Sequence, residues 1–194
     1  GYEAIGDEPM QMKRKFGQLT VAVAEKRVLG VEKLLSIEHP PQVILMDDAY
    51  QHRYVKPGLS VLVMDFYRPI WKDLCLPAGN LREPRAGIKR ADIIVVNKCP
   101  ESLSLLEAEK IKSRLNLLSH QELYFTSITY KNPVPLNEKS CGENFESVID
   151  HRATVIALAG IGNPLPFFRM AAKFGKEVIQ ISYPDHHHFT QNNL

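Results

Sequence analysis

Residues 43–48 read Val43-Ile44-Leu45-Met46-Asp47-Asp48, an apolar run that stops abruptly in two adjacent acids, with Tyr50-Gln51-His52-Arg53 close behind. A short greasy stretch bounded by turn signals predicts a strand buried on both faces, as in a parallel α/β sheet. The C-terminal tip of such a strand is where open α/β sheets bind ligands. Two carboxylates there are oxygen-only donors, which suit Mg²⁺ shared between protein and phosphate oxygens. For the Asp pair taken alone, a solvated acidic turn after a core strand is the plainer alternative.

The surrounding sequence extends the pattern. Residues 19–24 (LTVAVA), 59–65 (LSVLVMD), 92–97 (DIIVVN), 122–128 (ELYFTSI), 154–159 (TVIALA) and 177–182 (EVIQIS) read as further strands. Helical patterns fall at 25–37, where Pro40 and Pro41 mark the end, and at 104–118 and 164–174. This alternation predicts an α/β fold with a doubly wound, mainly parallel sheet. The stretch from Tyr130 to Asp150 loses all periodicity and is rich in Pro, Asn and Gly, as a linker would be. The expected organisation is a core over 1–129, a linker over 130–153 and the start of a second α/β lobe over 154–194. With no initiator Met and no closing element after HHHFTQNNL, the chain reads as an excerpt from a longer protein.

Composition narrows the class. The hydrophobic share of 44% and charged share of 24% are those of a soluble globular protein. A net charge of +2 argues against a dedicated nucleic-acid binder. Cys75, Cys99 and Cys141 form no CxxC pair, which suggests a reducing compartment. No apolar run reaches the length of a membrane-spanning helix.

Several short motifs carry chemistry. Asn97-Lys98 follows a buried strand, the place where P-loop GTPases pack an Asn-Lys on the nucleotide base. Pro100 stands where their guanine-reading Asp would be, which leaves adenine favoured; a polar end to a core strand is the alternative. Gly160-Ile161-Gly162-Asn163-Pro164 could hold an anion at a helix N-terminus. A tight strand-to-helix turn with Asn163 capping and Pro164 in the first helical position explains it more cheaply. The loop 76–90 carries Arg82, Arg85, Lys89 and Arg90, suited to phosphate contacts or simply to solvation. Asp185-His186-His187-His188 suggests a carboxylate tuning an imidazole for proton transfer, since three consecutive histidines cannot easily share one zinc. Gly6-Asp7-Glu8-Pro9, alone, reads as a turn with solvated acids.

Taken in order, GDEP (6–9), DDAYQHR (47–53), LPAGNLREP (76–84), ADIIVVNK (91–98), AGIGNP (159–164) and YPDHHHF (183–189) resemble the tetraacyldisaccharide 4'-kinases, the lipid A 4'-kinases of Gram-negative bacteria. The resemblance implies a two-lobed α/β kinase of P-loop NTPase type. It implies ATP and Mg²⁺ as cofactors and phosphorylation of the 4'-hydroxyl of an acylated glucosamine disaccharide 1-phosphate, at the cytoplasmic face of the inner membrane. Matched residue by residue, it makes Asp7 the catalytic base, assisted by His186 and Asp185. Asp47, Asp48 and Glu8 become the metal-site acids, Asn97 and Lys98 the nucleotide contacts, and Arg82, Gln51 and His52 the substrate contacts. Ala49 replaces the family's usual Gly. No GxxxxGK[ST] occurs, whereas the family carries its P-loop upstream of GDEP, so this chain alone is expected to bind nucleotide weakly and to be inactive. The rival classes are a nucleotide-binding regulatory or metallochaperone-like protein, and a metallohydrolase built on Asp47, Asp48 and the histidines.

Overall fold

A computed structural model of the chain describes residues 6–131, 133–134, 153–185 and 187–190. The expected linker therefore lies almost wholly outside the described residues, and so does His186. By internal contacts the chain divides into two units, Gly1–Ile128 and Thr129–Leu194.

The first unit is organised by β1 (Val61–Asp65), β2 (Ile93–Asn97) and β3 (Glu122–Phe125), all parallel, with β2 in the centre. Ile94 and Val96 on β2 are fully buried, and Met64, Ala91, Cys99 and Leu115 complete the buried core around them. Helix α3 (Leu105–Leu115) covers part of this core with Leu115 and the half-buried Ile111. Its start is fixed locally. The Ser104 hydroxyl accepts the Glu107 N–H at 3.2 Å, while the Glu107 carboxylate accepts the Ser104 N–H at 3.2 Å, a reciprocal box that satisfies two otherwise orphaned donors. Asn116 ends the helix in the left-handed conformation, φ 47°.

Two shorter helices precede the sheet: α1 (Asp7–Lys15) and α2 (Arg27–Leu35). The GDEP stretch is thus the first turn of a helix, not an isolated turn. Gly6 takes φ 90°, which only glycine adopts cheaply, and Pro9 is tolerated in the first turn because its missing N–H has no intrahelical partner there. Asp7 and Glu8 at the N-terminal end, and Lys13, Arg14 and Lys15 at the other, complement the helix dipole.

The strands expected at 19–24 and 43–48 do not form. Both stretches run without strand pairing, and Val43 and Leu45 are 73% and 90% exposed. The composition of these runs encodes a preference for burial, but a strand exists only where a neighbour completes its hydrogen-bond ladder. Among the described residues the sheet stops at β1. Asp47 and Asp48 accordingly do not sit at a strand tip.

In the second unit β4 (Thr154–Ala159) and β5 (Glu177–Ser182) pair in parallel, joined through α4 (Leu165–Ala171). Ala157, Ala159, Phe168 and Ala171 are buried between strand and helix. The capping residue is Pro164, without a side-chain cap, so Asn163 does not play the capping role its sequence suggests. The α/β class and parallel pairing stand as expected from the sequence.

Truncating Ile94 to Ala should cost about 2–5 kcal/mol of stability, because its site at the centre of the sheet has little freedom to collapse. Val43→Ala should lie within about 0.5 kcal/mol of the parent. Urea denaturation of the two variants would compare them; equal losses would mean that β2 is not the centre of the core.

Candidate active site

Two motifs more than thirty residues apart in sequence interlock. Arg82 donates to the Asp48 carboxylate at 2.5 Å. Gln51 donates to Glu83 at 3.0 Å, and Arg90 pairs with the same carboxylate at 2.8 Å. The Tyr50 hydroxyl donates to the Gly87 carbonyl at 2.7 Å, and the Arg90 guanidinium lies 4.6 Å from the centre of the Tyr50 ring while also donating to the Tyr50 carbonyl. A Cβ at position 87 would come within 2.5 Å of the Glu83 carboxylate, so a larger residue there would displace Glu83 from this network. DDAYQHR and LREP are therefore one surface, with Asp48, Gln51 and Arg82 brought together. His52 is half-buried beside them in sequence, with no hydrogen bond from its side chain to the described residues.

The electrostatics follow from these partners. The Arg82 guanidinium hydrogen bond holds the Asp48 carboxyl below the usual carboxylate range, against the opposing effect of burial. Arg82 is raised in turn by the same bond. Asp48 itself has φ 46°, a left-handed conformation that short polar residues tolerate better than most. Asp47 Oδ1 accepts the Asp48 N–H at 3.0 Å, and both acids are exposed. Their oxygen-only character fits a hard cation that draws its remaining ligands from phosphate and water. Among the described residues no cluster of three or more His, Cys, Asp or Glu could hold a metal unaided, which is the donor set a zinc hydrolase would need.

A second group lies at the C-terminal edge of the sheet. Asp65 ends β1 and is level with Asn97, which ends β2. Lys98 donates to Asp65 at 2.7 Å. Burial raises the Asp65 carboxyl, but the hydrogen bonds from Lys98 and the Tyr67 N–H outweigh it and leave the group below the ordinary range. Asp65 was missed in the sequence, although it ends the apolar run LVM much as Asp47 ends VILM. No described hydrogen bond connects this edge to the Asp48 surface. That surface is tied instead to residues 83–90, which lead into the start of β2.

Asp7 and Glu8 stand in the first turn of α1, where Asp7 Oδ1 accepts the Glu8 N–H at 2.9 Å. In the second unit the glycine loop meets the histidine loop. A Cβ on Gly160 would come within 3.0 Å of the Phe189 ring, and one on Gly162 within 3.1 Å of the Asp185 carboxylate. Tyr183 stacks on His187 with ring centres 4.3 Å apart, and Phe189 meets His187 edge-on at 5.0 Å. The His187 Nε2 is buried without a hydrogen-bond partner among the described residues. Sequence reading singled out Asp185 and His186, the latter outside the described residues, and not this aromatic packing of Tyr183, His187 and Phe189.

Along its whole length, residues 1–194, the chain matches the family model described as Tetraacyldisaccharide-1-P 4'-kinase. The chain belongs to that family. Its relatives include the tetraacyldisaccharide 4'-kinase of Bacteroides thetaiotaomicron, 40% identical over 98% of this chain and 52% of that protein. Those of Flavobacterium psychrophilum (41% identical, 99% and 55% covered) and Porphyromonas gingivalis (40%, 98% and 52%) are similarly close. The chain spans about half the length of the relatives it matches. No solved structure gives a significant match.

The Asp48–Arg82 pair is open to titration. Because the folded-state value of Asp48 is depressed, the pair should contribute above the unfolded carboxylate value and be lost as pH falls through the lower, folded value. Carboxyl NMR should place the Asp48 midpoint below that of a model aspartate and return it upward in Arg82→Ala. With the two side chains 59% and 68% exposed, added salt should shrink the difference. An unchanged midpoint in the variant would remove the pair.

Proposed function

We propose that the full-length protein carrying this chain is an ATP-dependent kinase that phosphorylates the 4'-hydroxyl of an acylated glucosamine disaccharide 1-phosphate, in lipid A biosynthesis. Membership of the family supports the reaction class, and the names of the relatives favour a kinase over a nucleotide-binding regulator. The observation that carries the reading at the residue level is the joining of the DDAYQHR and LREP motifs through Asp48 and Arg82. An arginine beside an acid pair suits a site that must handle both phosphate and its counter-cation.

In this reading Asp7 takes the proton from the acceptor hydroxyl, with Asp185 and His186 of the other unit assisting. Asp47 and Asp48 would hold Mg²⁺, which when bound neutralises charge on the transferring phosphate, while Glu8 forms no three-acid cluster with them among the described residues. Asn97 and Lys98 hold the nucleotide, and Arg82, Gln51 and His52 face the sugar phosphate. The parallel sheet would be part of a doubly wound P-loop core over 1–129, linked by 130–153 to a second lobe beginning at 154. No described helix is long and apolar enough to cross a membrane; the acylated acceptor would bring the enzyme to the inner-membrane surface.

Transfer of labelled phosphate from ATP to the lipid disaccharide by the full-length protein is the direct test, and absence of transfer with folded protein would overturn the assignment. Asp7→Asn should lower kcat by about 10²–10⁴-fold with little change in KM for ATP. Near-normal turnover in that variant would move the base elsewhere.

A further inference from the structure

The chain leaving β1 opens a cleft of about 280 Å³ lined by Tyr67, Arg68, Pro69, Lys72, Asp73 and Asn80. It begins two residues after the C-terminal end of β1, the side of the sheet on which open α/β folds take their ligands. The backbone around it is fastened. The Arg68 N–H donates to the Asp65 carbonyl at 3.1 Å and the Lys72 N–H to the Pro69 carbonyl at 2.9 Å, and Pro69 is buried. Further along, the Leu81 N–H donates to the Leu74 carbonyl at 2.9 Å, and Arg85 donates to the Asp73 carbonyl at the same distance. The side chains of Arg68 and Lys72, by contrast, are exposed and make no hydrogen bond or ion pair among the described residues.

The one acid among the lining residues is bonded to its own loop. Asp73 Oδ1 accepts the N–H groups of Leu74 at 2.8 Å and Asn80 at 3.0 Å, and Oδ2 accepts the Asn80 side-chain amide at 3.3 Å. The Asn80 and Leu74 N–H groups hold this carboxyl below the ordinary range, with a smaller contribution from the Arg68 charge. Asp73 stays charged, but it is outnumbered. Arg68, Lys72 and the guanidinium of Arg85, which is bonded to the same residue, stand against one carboxylate. The cleft is therefore positive and has no pair of acids with which to share a cation. Tyr67 lines it with 67% of its surface exposed, braced edge-on at 5.1 Å by Phe66, which packs on the core.

We propose that this cleft is an anion subsite for the 1-phosphate of the acceptor, with Arg68 and Lys72 supplying the charge and Tyr67 a ring on which the phosphate-bearing sugar rests. This rests on the reading of the acceptor as a disaccharide 1-phosphate and adds the place where that phosphate is held. Such an acceptor carries its reacting hydroxyl on one sugar and its phosphate on the other, so the phosphate must be held apart from the group in transfer. Nucleotide phosphates arrive with Mg²⁺ and call for acids that share it. A phosphate monoester without a metal is matched by cations alone. Asp47 and Asp48 suit the first kind of ligand, and the cleft suits the second. Asn80 precedes Arg82 by two residues, so one loop serves both the cleft and the Asp48 surface. The volume falls just under the ~300–1,000 Å³ of ordinary ligand pockets, which suits a phosphate with one sugar ring and excludes a whole acylated disaccharide.

Equilibrium binding to the full-length protein tests the subsite without turnover. The probes are the acylated disaccharide in neutral detergent micelles with its 1-phosphate, and the same lipid ending in a 1-hydroxyl. The parent should prefer the phosphate form by roughly tenfold or more, as for one or two hydrogen bonds to a charged group. Added salt should shrink that preference. Arg68→Ala combined with Lys72→Ala should abolish it, with Kd for ATP and for the 1-hydroxyl lipid at parental values. Arg68→Lys combined with Lys72→Arg, which keeps both charges, should retain most of it. In kinase assays the loss should appear in KM for the lipid, with kcat nearly unchanged. Equal affinity of the parent for the two lipids would overturn the proposal, and so would a preference that survives the double alanine variant. A loss as deep in the charge-conserving variant would also overturn it, by assigning the effect to the fold of the loop. If the alanine variant keeps the preference but loses affinity for ATP or for phosphatidylglycerol vesicles, the cleft takes a nucleotide or a headgroup and the subsite falls. A protein with the expected binding pattern that transfers no phosphate would uphold the subsite and sink the kinase assignment. One that binds neither lipid would sink both.

Discussion

Burial of Ile94 and Val96 on the central strand is the constraint on which the first unit depends. Parallel strands have no tight turn to hold them together, so their register has to come from side chains packed on both faces. β2 supplies those side chains, and with β1 and β3 in register on either side its last residue is carried to the same level as Asp65. The polar edge formed by Asp65, Asn97, Lys98 and Thr126 is a consequence of that register. A slip by one residue would turn Ile94 and Val96 out of the core and Asn97 away from its partners.

The loop between β1 and β2 shows a different way of building a surface. It has little regular structure, and its order comes from side chains that bind backbone. Asp73 accepts from the N–H groups of Leu74 and Asn80, Arg85 donates to the Asp73 carbonyl, and Gln121 donates to the carbonyls of Ile88 and Ala91. These bonds supply partners for backbone groups that no ladder pairs. They also present Arg82, Glu83 and Arg90 in one direction, so that the segment after Asp48 can be held by ion pairs and a cation–π contact where a sheet edge does not hold it.

The second unit reaches a comparable result with aromatic rings. Gly160 has no side chain because the Phe189 ring and the His187 Cβ occupy that space, and Tyr183 stacks on the same imidazole. The loop carrying Asp185 is thus packed on the turn that follows β4. At Gly160 the glycine-rich turn after β4 is a seat for an aromatic cluster, and at Gly162 it lies against the Asp185 carboxylate.

Much was determined by sequence alone. Apolar runs gave β1 through β5, and helical spacing gave α2, α3 and α4. The ordered motifs gave the family. These features are encoded within a few residues of themselves, through side-chain periodicity and hydrogen bonds to nearby backbone. Tertiary structure decided what no local pattern can express. The run at 43–46 has a strand's composition but no neighbour to pair with, while GDEP, read as a turn, opens a helix. Asp48 looked like one of two equivalent acids, and it is distinguished by Arg82, a partner thirty-four residues away. Asn97 was legible as a polar strand end; which of its atoms remains available depends on Thr126, contributed by a different strand. Hydrogen-bond capacity is finite and directional, so an amide's function is set by the partners that have already used part of it.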